Sequence, residues 1–444
     1  MKNFVYILFL SFSNLIAQTF PSELSLKEAI NFALENNSDI INAKREVDKA
    51  FKEKWKTISI GLPQISANFD YTNFLEMPIS LIPAEFFGGQ IGDFAEVTFG
   101  TKQNLVGSLR LNQLIFDGSY IVGVKATKTY MAISNNALEK TNLEVRKSVA
   151  NAYVNSLISK ASIEFIEKNI KTLNKTVDEA ESLYINGFIE EESIQQLKIT
   201  LAELESQRKF AHQFALLSKD ILKMSLGYNE DNNLKLTTSI EDITDNNIFN
   251  AQEIESWDIN SNIDIKIANN NVESYRLEYR LEQSKSLPKL STFISGAYTG
   301  NSNTFNFTEQ NQKWFGSALI GVSLDVPLFS SLGRSASSQK AKISYEQSKT
   351  TLEKTQKQIK LSAKNALANY QLAIDNFYVL KNNLDLSNNI EKKNQIKFSE
   401  GIASSFELRQ AQTQLYKAQK NYLNGLQNLM SRKIELETLL NNKN

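Results

Sequence analysis

Residues 163–187 read IEFIEKNIKTLNKTVDEAESLYING. Within them Ile163, Ile166, Ile170, Leu173, Val177, Ala180 and Tyr184 recur at alternating spacings of three and four. That heptad lays one apolar stripe along a helix and packs it, knobs into holes, against a second helix. Gly187 ends the run, since glycine takes the left-handed conformation that closes a helix at little cost. Side chains from Glu190 to Ser193 offer caps for a returning helix, whose Ile194, Leu197, Leu201 and Leu204 continue the seam. No Gly or Pro lies between Gly123 and Gly187, so the outgoing helix runs for roughly 65 residues, ~100 Å at 1.5 Å per residue.

The pattern occurs twice. Gly401 follows Gly187 by 214 residues and leads into Leu408, Ala411, Leu415, Ala418 and Tyr422; Asn365-Ala366 repeats Asn151-Ala152 at the same offset. Phe329 follows Phe116 by 213 residues. Upstream, Asn37-Ser-Asp-Ile recurs as Asn262-Ile-Asp-Ile, and Pro63 and Ser66 recur as Pro288 and Ser291, at an offset of 225. Ordered matches of this kind indicate internal duplication. Each half reads helix, strand, loop, strand, long helix, turn, long helix. The expected division is a signal segment 1–17, a first repeat 18–228, an irregular insert 229–262 and a second repeat 263–444. The outgoing helix of the second repeat reads as less regular, with Glu391 and Asn394 where Val177 and Ala180 sit, and is expected to face a channel or a partner chain.

The strands alternate with period two. Ile65, Ala67, Phe69 and Tyr71 interleave with polar residues, as do Leu105, Leu109 and Leu111 and, in the second half, Ala318 to Leu328; Leu290 to Tyr298 is the weakest. About ten alternating residues per strand is the signature of transmembrane β-strands and also fits a half-buried sheet of a soluble domain. Four strands are too few to close a barrel with an open lumen, so either the sheet packs on something or several chains each contribute part of a wall around a lumen. Polar positions Arg110, Asn112, Ser323 and Asp325 are expected to face that lumen. The loop from Pro83 to Gly100 is aromatic, with Phe86, Phe87, Phe94 and Phe99.

Composition narrows the function. Lys plus Arg and Asp plus Glu each number 49 in 444 residues, so no net basic charge draws the chain to nucleic acid. The absence of cysteine excludes disulfides, thiolate metal sites and an N-terminal lipid-modified Cys, and the one histidine, His212, leaves no partners for a His triad or His-rich metal site. No catalytic residue, metal site or cofactor is expected. Lys2 and the apolar residues Phe4 to Leu10 read as a secretory signal ending near Ala17.

At this point the chain resembles the TolC-like outer-membrane efflux proteins. Leu24-Ser-Leu-Lys-Glu-Ala-Ile resembles that family's mature N-terminal segment, Gln113-Leu-Ile-Phe-Asp-Gly118 and Pro327-Leu-Phe329 its strand-to-helix junctions, and Leu183-Tyr-Ile-Asn-Gly187 and Lys397-Phe-Ser-Glu-Gly401 its two helical tips. The resemblance implies an α+β membrane protein, a homotrimer in which four strands per chain build a twelve-stranded β-barrel continued by a long α-helical coiled-coil barrel. It implies an outer-membrane location reaching into the periplasm, outer-membrane lipid around the barrel, a periplasmic adaptor (membrane fusion protein) and an inner-membrane pump of RND or ABC type. It implies a constriction at Phe398, aligned with Tyr184, with an acidic position at Glu407; Gln410 and Ala403 replace the further acidic and basic residues of the family's gate. Seam packing is the alternative for Phe398. Adaptor contact is expected at Gly187, Ser193, Gly401, Ala403, Ser404 and Leu408. The rival reading is a periplasmic adaptor or coiled-coil scaffold without a membrane barrel, against which the duplicated hairpin and paired amphipathic strands argue.

Overall fold

The computed structural model describes residues 21–228, 234–245 and 257–441; the expected signal segment lies outside them. Two compact units share the chain. One draws on residues up to 45, 137–265 and 356 onward, the other on 46–136 and 266–355. Both sequence repeats contribute to both units.

The second unit holds the principal sheet. Strands β2 (Gln64–Asn73) and β5 (Gln103–Asp117) of the first repeat join β7 (Lys289–Ser302) and β8 (Trp314–Asp325) of the second in one antiparallel sheet of order β2-β5-β7-β8. The short β1 (Glu23–Leu24) precedes these, and β3 (Ile79–Pro83) and β4 (Phe94–Thr98) form a separate hairpin inside the aromatic loop. The strand weakest by sequence, β7, spans 14 residues. Its alternation is diluted because Gly296 and Gly300 stand where large residues would make the pattern visible. Helices α2 (Ser38–Ser59) and α6 (Ile263–Ser284) lead into the sheet, and α3 (Gly118–Ile185) and α7 (Gly333–Ser399) lead out of it.

The first unit is helical. α1 (Leu26–Asn36), α3, α4 (Glu191–Leu226), α7 and α8 (Ser405–Leu439) surround one core that includes Ala33, Val149, Tyr153, Leu226, Tyr370 and Leu426. Of the insert, β6 (Lys235–Leu236) pairs with β1 in parallel, and α5 covers Ile240–Asp245. Leu234 and Ile243 enter the core, and the Trp257 indole donates to the Leu440 carbonyl at 3.2 Å. The described part of the insert is therefore packed against the helices. Tyr153 ties the same region together: its hydroxyl donates to the Leu24 carbonyl at 2.9 Å and accepts from the Thr238 amide at 3.2 Å.

The duplication extends to hydrogen bonds. Asn37 and Asn262 precede α2 and α6. Their side-chain oxygens accept from the Asp39 amide at 2.8 Å and the Asp264 amide at 2.9 Å, satisfying amides that the first turn leaves open. Their side-chain nitrogens donate at 2.8 Å to Ser225 and Leu439, carbonyls at the ends of α4 and α8. Each asparagine thus joins the start of one helix to the end of another. Asn37→Ala and Asn262→Ala should each cost about 1–2 kcal/mol, seen as a lowered urea midpoint. Aspartate at either position keeps the cap but loses the donor and should recover part of the loss.

Candidate functional site

The sheet has one apolar and one polar face. On the first, register stacks Ile65, Leu111, Ile294 and Ile320 in one row and Phe69, Gly107, Tyr298 and Gly316 in another. The glycines make room for rings: a Cβ on Gly107 would lie 3.1 Å from the Phe69 ring. This face is open, with Phe69 79% and Ile320 74% exposed. An uncovered apolar sheet of this kind marks a protein or membrane contact.

The opposite face carries the four polar positions named from sequence. Arg110 shares a row with Ser66, Ser295 and Leu319, Asn112 with Gln64 and Phe293, and Ser323 faces Ser291. The Arg110 guanidinium donates to Asn112 at 2.9 Å and lies over the Phe293 ring at 4.2 Å. Asp325 is paired in register with Lys289, whose ammonium lies 3.6 Å from the Asp117 carboxylate. The face can present hydroxyls, amides and balanced charges to an aqueous path.

The helical tips turn on Gly187 at φ 77° and Gly401 at φ 71°. Ser404 caps α8 through a capping box with Glu407: the carboxylate accepts from the Ser404 amide at 2.8 Å and its hydroxyl at 3.0 Å. These bonds, the backbone one first, hold the Glu407 carboxyl below the usual carboxylate range. The two tips touch, with the Ser405 hydroxyl donating to that of Ser193 at 2.9 Å.

Phe398 is 1% exposed and belongs to one apolar core with Leu173, Val177, Ile194, Leu197 and Leu408. It lines no open passage within the chain. Leu408, expected at an adaptor contact, is wholly buried in the same core, because the turn after the cap points it inward. Tyr184 is partly exposed, Gln410 exposed and Ala403 half-buried. Phe188 and Ile402 fall within the tip segments Tyr184–Ser193 and Phe398–Leu408 expected at an adaptor contact but are not singled out by the sequence; they are 76% and 75% exposed on equivalent positions of the two tips. The signal was present, since both follow a tip glycine directly.

The outgoing helix of the second repeat also reads differently in three dimensions. Ala363, Ala366, Tyr370, Ala373, Phe377, Leu384, Ser387 and Phe398 are buried along α7, and they fit one unbroken heptad in which Glu391 and Asn394 occupy seam positions. The helix is regular; its seam turns polar toward the tip. Burial raises the Glu391 carboxyl, partly offset by Lys168, and burial together with the Glu391 charge raises the Tyr416 hydroxyl. Nearby, Asn169 and Gln419 exchange amide hydrogen bonds at 2.7 and 3.3 Å, and Gln395 accepts from Thr176 at 3.2 Å. Gln412 is buried without a partner for either end of its amide. Polar groups at seam positions fix register but weaken adhesion.

Comparison with known proteins completes the picture. No curated protein matches the chain by sequence. Residues 259–442 match the family described as outer membrane efflux protein. The fold is similar to the outer membrane protein VceC of Vibrio cholerae, with a TM-score of 0.71 at 17% identity over 94% of this chain and 95% of that one. It is similar to the open state of the MtrE outer membrane channel of Neisseria gonorrhoeae, with a TM-score of 0.72 at 15% identity over 94% and 88%. It is also similar to the CmeC outer membrane channel of Campylobacter jejuni, at 0.71 and 15% over 94% and 85%. By sequence, residues 259–442 match the outer membrane efflux protein family, and nearly the whole length of the chain shares the fold of outer-membrane channel structures.

Proposed function

We propose that this chain is one subunit of an outer-membrane exit duct, passively conducting substrates from the periplasm or a pump to the exterior in a tripartite efflux or type I secretion system. The observation that carries the reading is the sheet: amphipathic, exposed on both faces, and free at both edges. Such a sheet is stable in a membrane only when copies close it into a barrel. Three chains with four strands each suffice, the apolar face toward lipid and the face of Arg110, Asn112, Ser323 and Asp325 toward the lumen.

The helices support the same assembly. On α4, Phe210, Phe214, Leu217, Ile221 and Met224 are exposed, and their alternating spacing makes a second heptad stripe on that helix. On α7, Leu372, Val379 and Leu386 are exposed at intervals of seven. Two such stripes on one chain suit helix packing between neighbouring copies. Glu407, Gln410 and Tyr184 are the accessible candidates for a constriction, and Phe188 and Ile402 are knobs for a periplasmic adaptor serving an RND or ABC pump. The polar seam makes the α7–α8 hairpin the moving element of the gate, while the apolar α3–α4 hairpin is the fixed wall.

Three outcomes follow from this reading. Leu217→Asp with Phe214→Asp should convert the detergent-extracted trimer to monomer by mass photometry while helicity by circular dichroism is kept; an intact trimer would remove the stripe from the assembly. Phe188→Asp with Ile402→Asp should abolish cross-linking to the adaptor and leave single-channel conductance in planar bilayers unchanged. Glu391 sets a pH dependence. Its folded carboxyl titrates above the ordinary value of 4.5, so below 4.5 it is protonated in every state and costs nothing. As pH rises through 4.5 toward the raised value, ionisation favours a hydrated, separated seam, and the closed tip loses stability. Amide exchange across residues 387–398, corrected for intrinsic rates, should accelerate over that window in the wild type and stay level in Glu391→Gln.

A further inference from the structure

The two sheet-to-helix junctions differ. In the first repeat β5 passes straight into α3, with the Asp117 carboxylate accepting from the Ser119 amide at 2.7 Å and the Tyr120 amide at 3.2 Å. In the second repeat residues 326–332 stand between β8 and α7. This turn projects three large apolar side chains: Leu328 is 89%, Phe329 83% and Leu332 76% exposed. Ser331 at φ 47° and Leu332 at φ 63° hold the left-handed conformation, uncommon for a serine and strained for a leucine. The Arg334 guanidinium fastens the turn by donating to the Pro327 carbonyl at 2.9 Å. A strained backbone that turns leucine and phenylalanine outward has no use in water.

The turn and the first turns of the helix after it carry only basic charge, between Asp325 on one side and Glu346 on the other. From Val326 to Tyr345 the chain carries Arg334, Lys340 and Lys342 and no acidic residue. The turn follows directly on the strand that carries Ile320, Val322 and Leu324, and the alternation of apolar residues in the sequence runs on through Val326 and Leu328. Apolar side chains followed by basic ones at the edge of a lipid-facing surface match the boundary between acyl chains and anionic headgroups.

We infer that residues 326–334 form a lipid hook in the periplasmic leaflet of the outer membrane, with Leu328, Phe329 and Leu332 seated among acyl chains and Arg334, Lys340 and Lys342 gathering anionic phospholipid. The inference rests on the duct reading, which sets the helix-bearing end of the sheet at the periplasmic boundary. It assigns the second junction a task that the first does not share, that of fixing the depth of the barrel in the bilayer.

The lack of cysteine allows a clean test on the whole trimer. Phe329→Cys and, as a reference on the apolar sheet face, Ile320→Cys each carry one environment-sensitive fluorophore in nanodiscs containing phosphatidylglycerol. Nitroxides on the lipid near the headgroup should cut the Phe329→Cys emission roughly two-fold, and aqueous iodide should leave it unchanged. Arg334→Gln with Lys340→Gln and Lys342→Gln should lower co-purified phosphatidylglycerol relative to phosphatidylcholine by about five-fold per charge. If Ile320→Cys is quenched by lipid while Phe329→Cys is quenched by iodide alone, or by neither because a neighbouring chain covers it, the hook is wrong and the duct stands. If Ile320→Cys is not quenched by lipid, the barrel reading fails and the hook with it.

Discussion

Unpaired backbone at the two edges of the sheet governs the rest of the structure. Among the described residues β2 pairs only with β5, and β8 only with β7. Their outer N–H and C=O groups need partners that one chain does not supply. In hydrocarbon each open group costs several kcal/mol, so under the duct reading the sheet is an arc of a larger wall. The alternation of its side chains, its exposure on both faces and the second apolar stripe on α4 all follow from serving as part of something closed. A single chain of this protein is a folded piece of a surface.

The helical half manages adhesion differently in its two hairpins. The α3–α4 seam holds one buried Ser159–Ser218 pair, is apolar from Ile163 to its tip, and ends in the core that buries Phe398. The α7–α8 seam begins apolar, passes through Ser387, Glu391 and Asn394, and is bridged to its neighbour by amides. Apolar seams resist separation in proportion to the surface they would expose to water. Seams lined with amides and carboxylates surrender much less, because water replaces the partners they lose. Under the duct reading one repeated sequence gives a stiffer hairpin and a more compliant one by changing a few seam positions, with helix lengths that differ by one residue.

What the sequence made legible was periodic. Heptads, two-residue alternation and a repeat of fixed offset survive in one dimension, so the order of elements, the four-strand arc and the tip glycines could be read directly. The polar stretch of α7 was mistaken for irregularity because apolar residues were the only tracer of the seam; Glu391 and Asn394 sit in register. The sequence puts Leu408 at an adaptor contact and leaves Phe398 between constriction and seam, since whether a tip residue points inward depends on how the two hairpins meet. The β3–β4 hairpin was hidden in a loop whose aromatic content drew attention away from its short alternation. The Asn-x-Asp-Ile repeat was seen as a repeat, but its task was invisible, because the carbonyls that its asparagines reach lie far along the chain.

Those asparagine clasps bear on how the chain comes to be folded at all. One spans 188 residues and the other 177, the latter ending at Leu439, close to the last described residue. The helical core mixes Ala33 and Val149 of the first repeat with Tyr370 and Leu426 of the second. Neither repeat can complete its own interior, despite being a copy of the other. Contacts this distant in sequence carry a large loop-closure entropy and form late. Vectorial synthesis and export therefore deliver a chain that stays unfinished until its final helix arrives, with amphipathic strands exposed the whole time. Duplication has doubled the architecture without yielding two halves that can fold in turn.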